Sequence, residues 1–280
     1  MRFLGLAVGA VLCCVATLVQ AQAPLPATSV TGALRPLLTS DEAQAWRAVG
    51  RLDSDVSFCT GTLIAPDLVL TAAHCAFDPE TGERFEASEL VFSPGLRNGR
   101  ADAVRTGQRI FLLPRYRLGA GESLEMIGRD LALVELQHAI SVPGITPMTV
   151  GYGLGRNDLV TIVSYGQDRE THASIEEGCH VLQHAGSVRA LDCFIVAGSS
   201  GAPVMQIVDG VPRIMAVVSA VGHGEGEEVA LAVTLDEQLT ELLAQRVRDG
   251  SFGTQTSSTT FLNQMATGRQ TIGGARFLRP

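Results

Sequence analysis

The sequence predicts an all-β fold of many short strands, closed by one helix near the C-terminal end. Short β-branched or leucine-rich runs recur between Gly, Pro and Asp breaks, the pattern of a sandwich or barrel. The composition supplies 30 glycines for turns and 46% hydrophobic residues for a core, and no internal repeat is visible. Amphipathic helical spacing is well marked only at Leu235, Leu239, Leu242 and Leu243.

Taken in order, the chain opens with Arg2, an apolar run over 3–19, and small residues at Ala21 and Ala23. That pattern predicts a secretory signal peptide over 1–21. Cleavage after Ala21 makes Gln22 the mature start, because cleavage after Ala23 would leave Pro24 first. The run is shorter than the roughly 20 residues needed to span a bilayer, so no membrane association is expected after cleavage. The mature chain is then secreted or periplasmic. It keeps about 260 of the 280 residues, enough for one double-layered β domain. Residues 22–45, rich in Pro, Ala, Thr and Ser, read as a linker or short pro-segment, and the folded domain runs over 46–250. Its strand signals fall at 63–70, 131–136, 159–165, 203–208 and 214–221. Thr234 and Glu237 are spaced for a capping box at the start of the helix, and Gly250 is placed to stop it. Residues 251–280, mostly Ser, Thr, Gly, Gln and Asn, read as a flexible tail.

Several chemistries are excluded by composition. The net charge of −8 gives no electrostatic reason to expect nucleic acid. All 21 basic residues are arginines, so a Ser-Lys dyad, a Schiff-base lysine and a Walker-type phosphate loop are ruled out. Cys13 and Cys14 lie in the signal segment. Cys59, Cys75, Cys179 and Cys193 remain, an even count that suggests two disulfides in an exported chain and leaves three pairings open. His180 and His184 have helical i, i+4 spacing beside Cys179, but no second cluster completes a tetrahedral zinc site. They are read as ordinary polar residues, and no metal or organic cofactor is expected.

Three segments carry the chemistry. CTGTLIAPDLVLTAAHC over 59–75 ends a β-like run on His74, RDLALVEL places Asp130 before an apolar run, and GSSGAPV sets Ser200 among small residues. A serine hydroxyl is a poor nucleophile until an imidazole takes its proton, and the imidazole needs a carboxylate to fix its tautomer. His74, Asp130 and Ser200 are the candidates for base, orienter and nucleophile. Their order argues against an α/β-hydrolase, whose acid and histidine follow the serine; Ala202 also replaces the second glycine of its motif, and only Asp209 and His223 lie soon after Ser200.

Together these segments resemble trypsin-like serine proteases, most closely the bacterial glutamyl-endopeptidase branch. The resemblance implies two six-stranded antiparallel β-barrels of chymotrypsin type with a C-terminal helix. It implies an oxyanion hole from the N–H groups of Gly198 and Ser200, and the disulfide Cys59–Cys75, which leaves Cys179 with Cys193. It implies a monomer acting on protein or peptide substrates through an acyl-enzyme, and it places Phe194, Ser219, Ala220 and Val221 at the substrate.

Departures from the family pattern refine that expectation. Ser199 stands where digestive trypsins carry the aspartate that receives a new N-terminal ammonium, so activation by that salt bridge is not available. Arg47-Ala48-Val49-Gly50 is therefore read as the entry to the first strand. Phe194 stands where trypsin has its specificity aspartate, Val218 where glutamyl-specific relatives have a histidine, and Val221 where the family has glycine. An apolar pocket for small or hydrophobic P1 residues is expected. The rival reading is a catalytically silent binding protein on the same fold.

Overall fold

The computed structural model describes residues 34–119, 123–224 and 227–250 and the backbone of 275–277. The expected signal peptide, its cleavage point and residues 22–33 of the expected linker lie outside the described residues. A short strand β1 (Arg35–Pro36) and a helical turn α1 (Ser40–Ala43) lead into β2 (Val49–Asp53), β3 (Phe58–Ala65), β4 (Leu68–Thr71), β5 (Val91–Pro94) and β6 (Arg105–Leu112). A turn α2 (Leu124–Ile127) precedes β7 (Ala132–Leu136). Strands β2 to β7 close a six-stranded antiparallel barrel in the order β2-β3-β4-β7-β6-β5. Every residue of β4 and β7 is buried. These two runs are therefore mostly apolar on both faces, where a half-exposed strand would alternate; the buried exceptions are Thr71 and Glu135.

After the bridge β8 (Thr149–Val150) come β9 (Leu159–Ser164), β10 (Ser174–Ala185), β11 (Val188–Leu191), β12 (Pro203–Val208), β13 (Val211–Gly224) and β14 (Glu227–Thr234). Their order is β10-β11-β14-β13-β12-β9, and β9 pairs with β10 to close a second antiparallel barrel of six strands. The two six-stranded barrels expected from the resemblance are therefore the observed architecture. The helix α3 (Asp236–Gly250) follows β14, and among the described residues no helix is long and apolar enough to cross a membrane. One buried apolar cluster joins the first barrel (Leu63, Leu70, Phe92, Leu133) to the second (Val163, Ile214, Val217) and to Leu239 and Leu242 of α3.

Three expectations change. The end of the expected linker is part of the fold: Arg35 and Pro36 pair with Ile175 and Ser174 of β10, and Leu37, only 1% exposed, joins the main cluster. Its N–H also donates to Ala173 O at 2.9 Å, so both its side chain and its backbone are anchored. The capping box at Thr234 does not form. That residue is still a strand residue, paired with Ala216 and donating its N–H to Ser187 O, and its buried hydroxyl makes no hydrogen bond to the helix that begins at Asp236. In the expected flexible tail, Ala275–Phe277 forms a strand, β15, antiparallel to β13; residues 251–274 lie outside the described residues.

The helix is tied to the first barrel by charge as well as by leucines. Arg246 donates from Nε to Glu135 Oε1 at 2.9 Å and from Nη2 to Asp67 Oδ2 at 2.6 Å, while Arg109 Nε donates to the other Glu135 oxygen. Burial pushes the Glu135 carboxyl up, and the two arginines more than offset this, holding it below its ordinary value. Removing one partner of such a buried pair strands a charge. Arg246→Met and Glu135→Gln are each expected to cost about 1–3 kcal/mol. In a double-mutant cycle of thermal unfolding they should couple by at least about 0.5 kcal/mol. Strict additivity would show that the network does not hold the helix.

Candidate active site

His74 lies on a 3-10 turn, Ala73–Ala76, at the end of β4. The turn is walled in: Ala72 and Ala73 are fully buried, and Cys75 is bonded to Cys59 of β3. Larger side chains at Ala72 or Ala73 would displace the turn, which explains the small residues before the histidine. Asp130 follows α2, whose first turn is capped by Ser123 Oγ accepting from Met126 N, and its own N–H donates to Ile127 O. The carboxylate is fully buried and takes three donors. Oδ1 accepts from His74 N–H at 2.8 Å, while Oδ2 lies 2.7 Å from His74 Nδ1 and accepts from Ser219 Oγ at 2.5 Å. Because an ionised carboxylate only accepts, this arrangement assigns the imidazole proton to Nδ1 and leaves Nε2 as the basic nitrogen. Ser219 reaches Asp130 from a bulge, since the β13–β14 register shifts between Val218 and Ala220. Nearby Tyr116 is buried, and that burial, then the Asp130 charge, pushes its phenol far up, so it stays neutral.

Ser200 sits in the turn before β12. Thr60 on β3 holds this turn: its N–H donates to Ser200 O at 2.8 Å and its hydroxyl to Gly198 O at 2.8 Å. Gly198 and Gly201 have φ of +88° and +80°, and added Cβ atoms would stand 2.3 Å from the Phe58 ring and 2.1 Å from Thr60 O. Both conformation and space therefore demand glycine. Gly201 N–H donates to Val218 O, and Val218 N–H to Ala202 O, which pins the turn to β13 beside Ser219. Among the described residues the N–H groups of Gly198 and Ser200 donate to nothing, and the buried Ser200 hydroxyl makes no hydrogen bond. The fold thus joins His74 to Asp130 directly and sets Ser200 on the same wall. The expected serine–imidazole hydrogen bond is not closed, as is common before substrate arrives.

Ser199, where trypsins carry an aspartate, has a different cation. Arg169 is buried and donates from Nη2 to Ser199 Oγ at 3.1 Å and to Ser164 Oγ at 3.0 Å, and from Nη1 to Ser164 O. Burial pulls its guanidinium down to about 10, which still leaves it charged at neutral pH. Glu176, on β10, supports the same loop further upstream by accepting Phe194 N–H at 2.9 Å. Thr60, Arg169 and Glu176 were given no role by sequence. They are spread over β3, a loop and β10, and only the fold brings them to one turn.

The remaining expectations divide. Ser219, Ala220 and Val221 lie on β13, Ser219 within reach of Asp130, and Val221 shares a buried apolar cluster with Ile195, Ala202 and Ala230. Phe194, expected at the substrate, lies in the segment after β11, next to the Cys179–Cys193 disulfide, and its side chain is 58% exposed. Cys179 is bonded to Cys193. Cys59, His74 and Cys75 approach one another, as do Glu176, Cys179 and Cys193, but in each group the sulfurs are joined to each other and offer no thiolate. His180 and His184 lie on the strand β10 and not on a helix, and His180 pairs with Asp192 at 3.1 Å.

Two barrels of this kind are the chymotrypsin fold, and its cleft here holds a histidine–carboxylate pair beside a glycine-framed serine. The chain belongs to the trypsin-like peptidase domain family, whose model matches residues 59–212. It is 29% identical over 200 residues to a glutamyl endopeptidase of Bacillus licheniformis, covering 66% of this chain. The match spans only 57% of that relative's own length. A solved Glu endopeptidase, in complex with MPD, superposes with a TM-score of 0.64 at 14% identity, over 78% of this chain and 98% of that one, which shows the shared fold.

Glu176 offers a pH test of the loop support. Burial pushes its carboxyl up to about 7. The unfolded chain therefore loses this proton first as pH rises from about 4.5. Over that window the folded state holds more protons, so stability falls with pH until about 7 and then levels off. Glu176→Gln should keep the Phe194 hydrogen bond and lose this slope, gaining Tm over wild type as pH rises from 5 to 8. Parallel Tm profiles would show that Glu176 is not held protonated.

Proposed function

We propose that this chain is an exported serine endopeptidase with His74 as general base, Asp130 as its orienter and Ser200 as nucleophile. The observation that carries the reading is Asp130, which grips His74 at both backbone and ring beside a glycine-framed serine. Family membership and the glutamyl endopeptidase relative support protease activity. Two disulfides support export.

Ser200 Oγ adds to the scissile carbonyl while its proton passes to His74 Nε2, and the N–H groups of Gly198 and Ser200 receive the oxyanion. Collapse breaks the C–N bond as His74 returns the proton to the departing amine, leaving an acyl-enzyme. Water then repeats the two steps, with His74 again taking and returning the proton, and releases the acid. Asp130 stays ionised throughout and stabilises the imidazolium. Phe194, Val218 and Val221, which stand where relatives carry a specificity aspartate, a histidine and a glycine, favour small or hydrophobic P1 residues. No metal or organic cofactor enters these steps.

Ser200→Ala should lower turnover by at least about 10⁴-fold with an unchanged Tm. A fluorophosphonate should label wild type at Ser200 and leave the variant unlabelled, as read by mass spectrometry of the modified peptide. Turnover retained in the variant would remove Ser200 from the chemistry. Absence of labelling in folded wild type would favour the silent binding protein.

A further inference from the structure

Strand β13 is paired on both sides only in part. β12 runs along one edge as far as Pro203↔Val217 and then leaves the sheet toward Ser200. β14 covers the opposite edge through Ala220↔Leu231, Val221↔Ala230 and Gly222↔Val229. From Ala220 to Gly222 the edge vacated by β12 is open to an extended peptide, immediately beside Ser219 and its Asp130 bond. An unpaired edge of this kind is a template for strand addition. It is occupied. Residues of β15 pair antiparallel in the register Gly222↔Ala275, Val221↔Arg276 and Ala220↔Phe277.

The direction of this pairing matters. Along β15 the chain passes from Gly222 to Ala220 and so advances toward Ser219 and the catalytic turn. A substrate whose acyl side lies on this edge must run the same way, because its scissile carbonyl has to arrive at Ser200. A segment paired there in that direction excludes a substrate backbone from the same three residues.

We propose that the open edge Ala220–Gly222 binds the chain's own C-terminal segment as an extended, substrate-directed peptide, which competes intramolecularly with substrate for the cleft. This rests on the peptidase reading above. The ligand class is an extended peptide recognised through its backbone, with the tether supplying local concentration. Covalent attachment to the same chain gives an effective concentration of order 1 mM. Against a weak peptide site of about 0.1 mM, that closes roughly nine-tenths of the molecules and raises the apparent KM about tenfold without altering kcat.

The test uses the full chain and Arg276→Pro, which removes a backbone donor and fixes φ in β15 without altering His74, Asp130, Ser200 or Ser219. On a peptide substrate with a small apolar P1, the variant should show KM lowered about tenfold and kcat unchanged. The ratio should be the same at every enzyme concentration. Equal KM values would overturn the proposal, and so would a ratio that grows with enzyme concentration, which would make the occupied edge a contact between copies. A second readout needs no turnover: anisotropy of a fluorescent peptide of sequence TIGGARFLRP, residues 271–280, in the Ser200→Ala background. The peptide should bind the chain carrying Arg276→Pro at least about tenfold more tightly than the chain with the native segment. Equal binding, or none, alongside normal fluorophosphonate labelling of Ser200 would overturn this proposal and leave the peptidase reading standing. Differential binding without labelling would sink the peptidase reading and keep the docked segment.

Discussion

The buried carboxylate of Asp130 is the constraint on which the rest of the site depends. A lone carboxylate with no solvent exposure would be costly, so its position is fixed by the donors that repay its desolvation. Those donors come from three places: the backbone and ring of His74 at the end of β4, and the Ser219 hydroxyl from a bulge in β13. Two of these belong to the first barrel and one to the second. The carboxylate therefore sets the histidine tautomer and also locks the two barrels in register at the place where the cleft must form.

Around that point the turn carrying Ser200 is held from several sides. Thr60 holds its backbone from the first barrel, Val218 holds it from β13, and Arg169 holds Ser199 from a loop of the second barrel. Arg169 is an internal cation of the second barrel that supports this turn directly. The N–H groups of Gly198 and Ser200 stay available because positive φ at Gly198 and Gly201 turns the backbone between these anchors. Where the anchors end, β13 offers an open edge, and the chain's own β15 lies on it.

Much of this was legible in the sequence because the chemistry is local. Small residues before His74, the apolar run after Asp130 and the glycines around Ser200 each answer a steric demand within a few residues. The barrel strands were legible where both faces are buried, as in β4 and β7. What was not legible depended on distant pairing. Thr60 and Arg169 meet the nucleophile turn only after the two barrels close, and nothing in their neighbours marks them. Phe194 was placed at the substrate by counting residues, and how far its side chain stands in solvent depends on a loop that no local pattern describes. Thr234 had the right spacing for a cap, yet the strand kept it. Leu37 and β15 lie in stretches whose composition reads as linker and tail, and their strands are induced by edges elsewhere in the sheet.

The most direct measurement is the rate of Ser200 fluorophosphonate labelling, with kcat/KM, in Asp130→Asn. An amide in place of the carboxylate can keep the cavity filled but can no longer accept from every donor, so the imidazole is held in the wrong tautomer. A loss of about 10⁴-fold in both readouts, with the Tm lowered only modestly, is the predicted result. Labelling at the wild-type rate in a folded Asp130→Asn variant would contradict the central role given to this carboxylate.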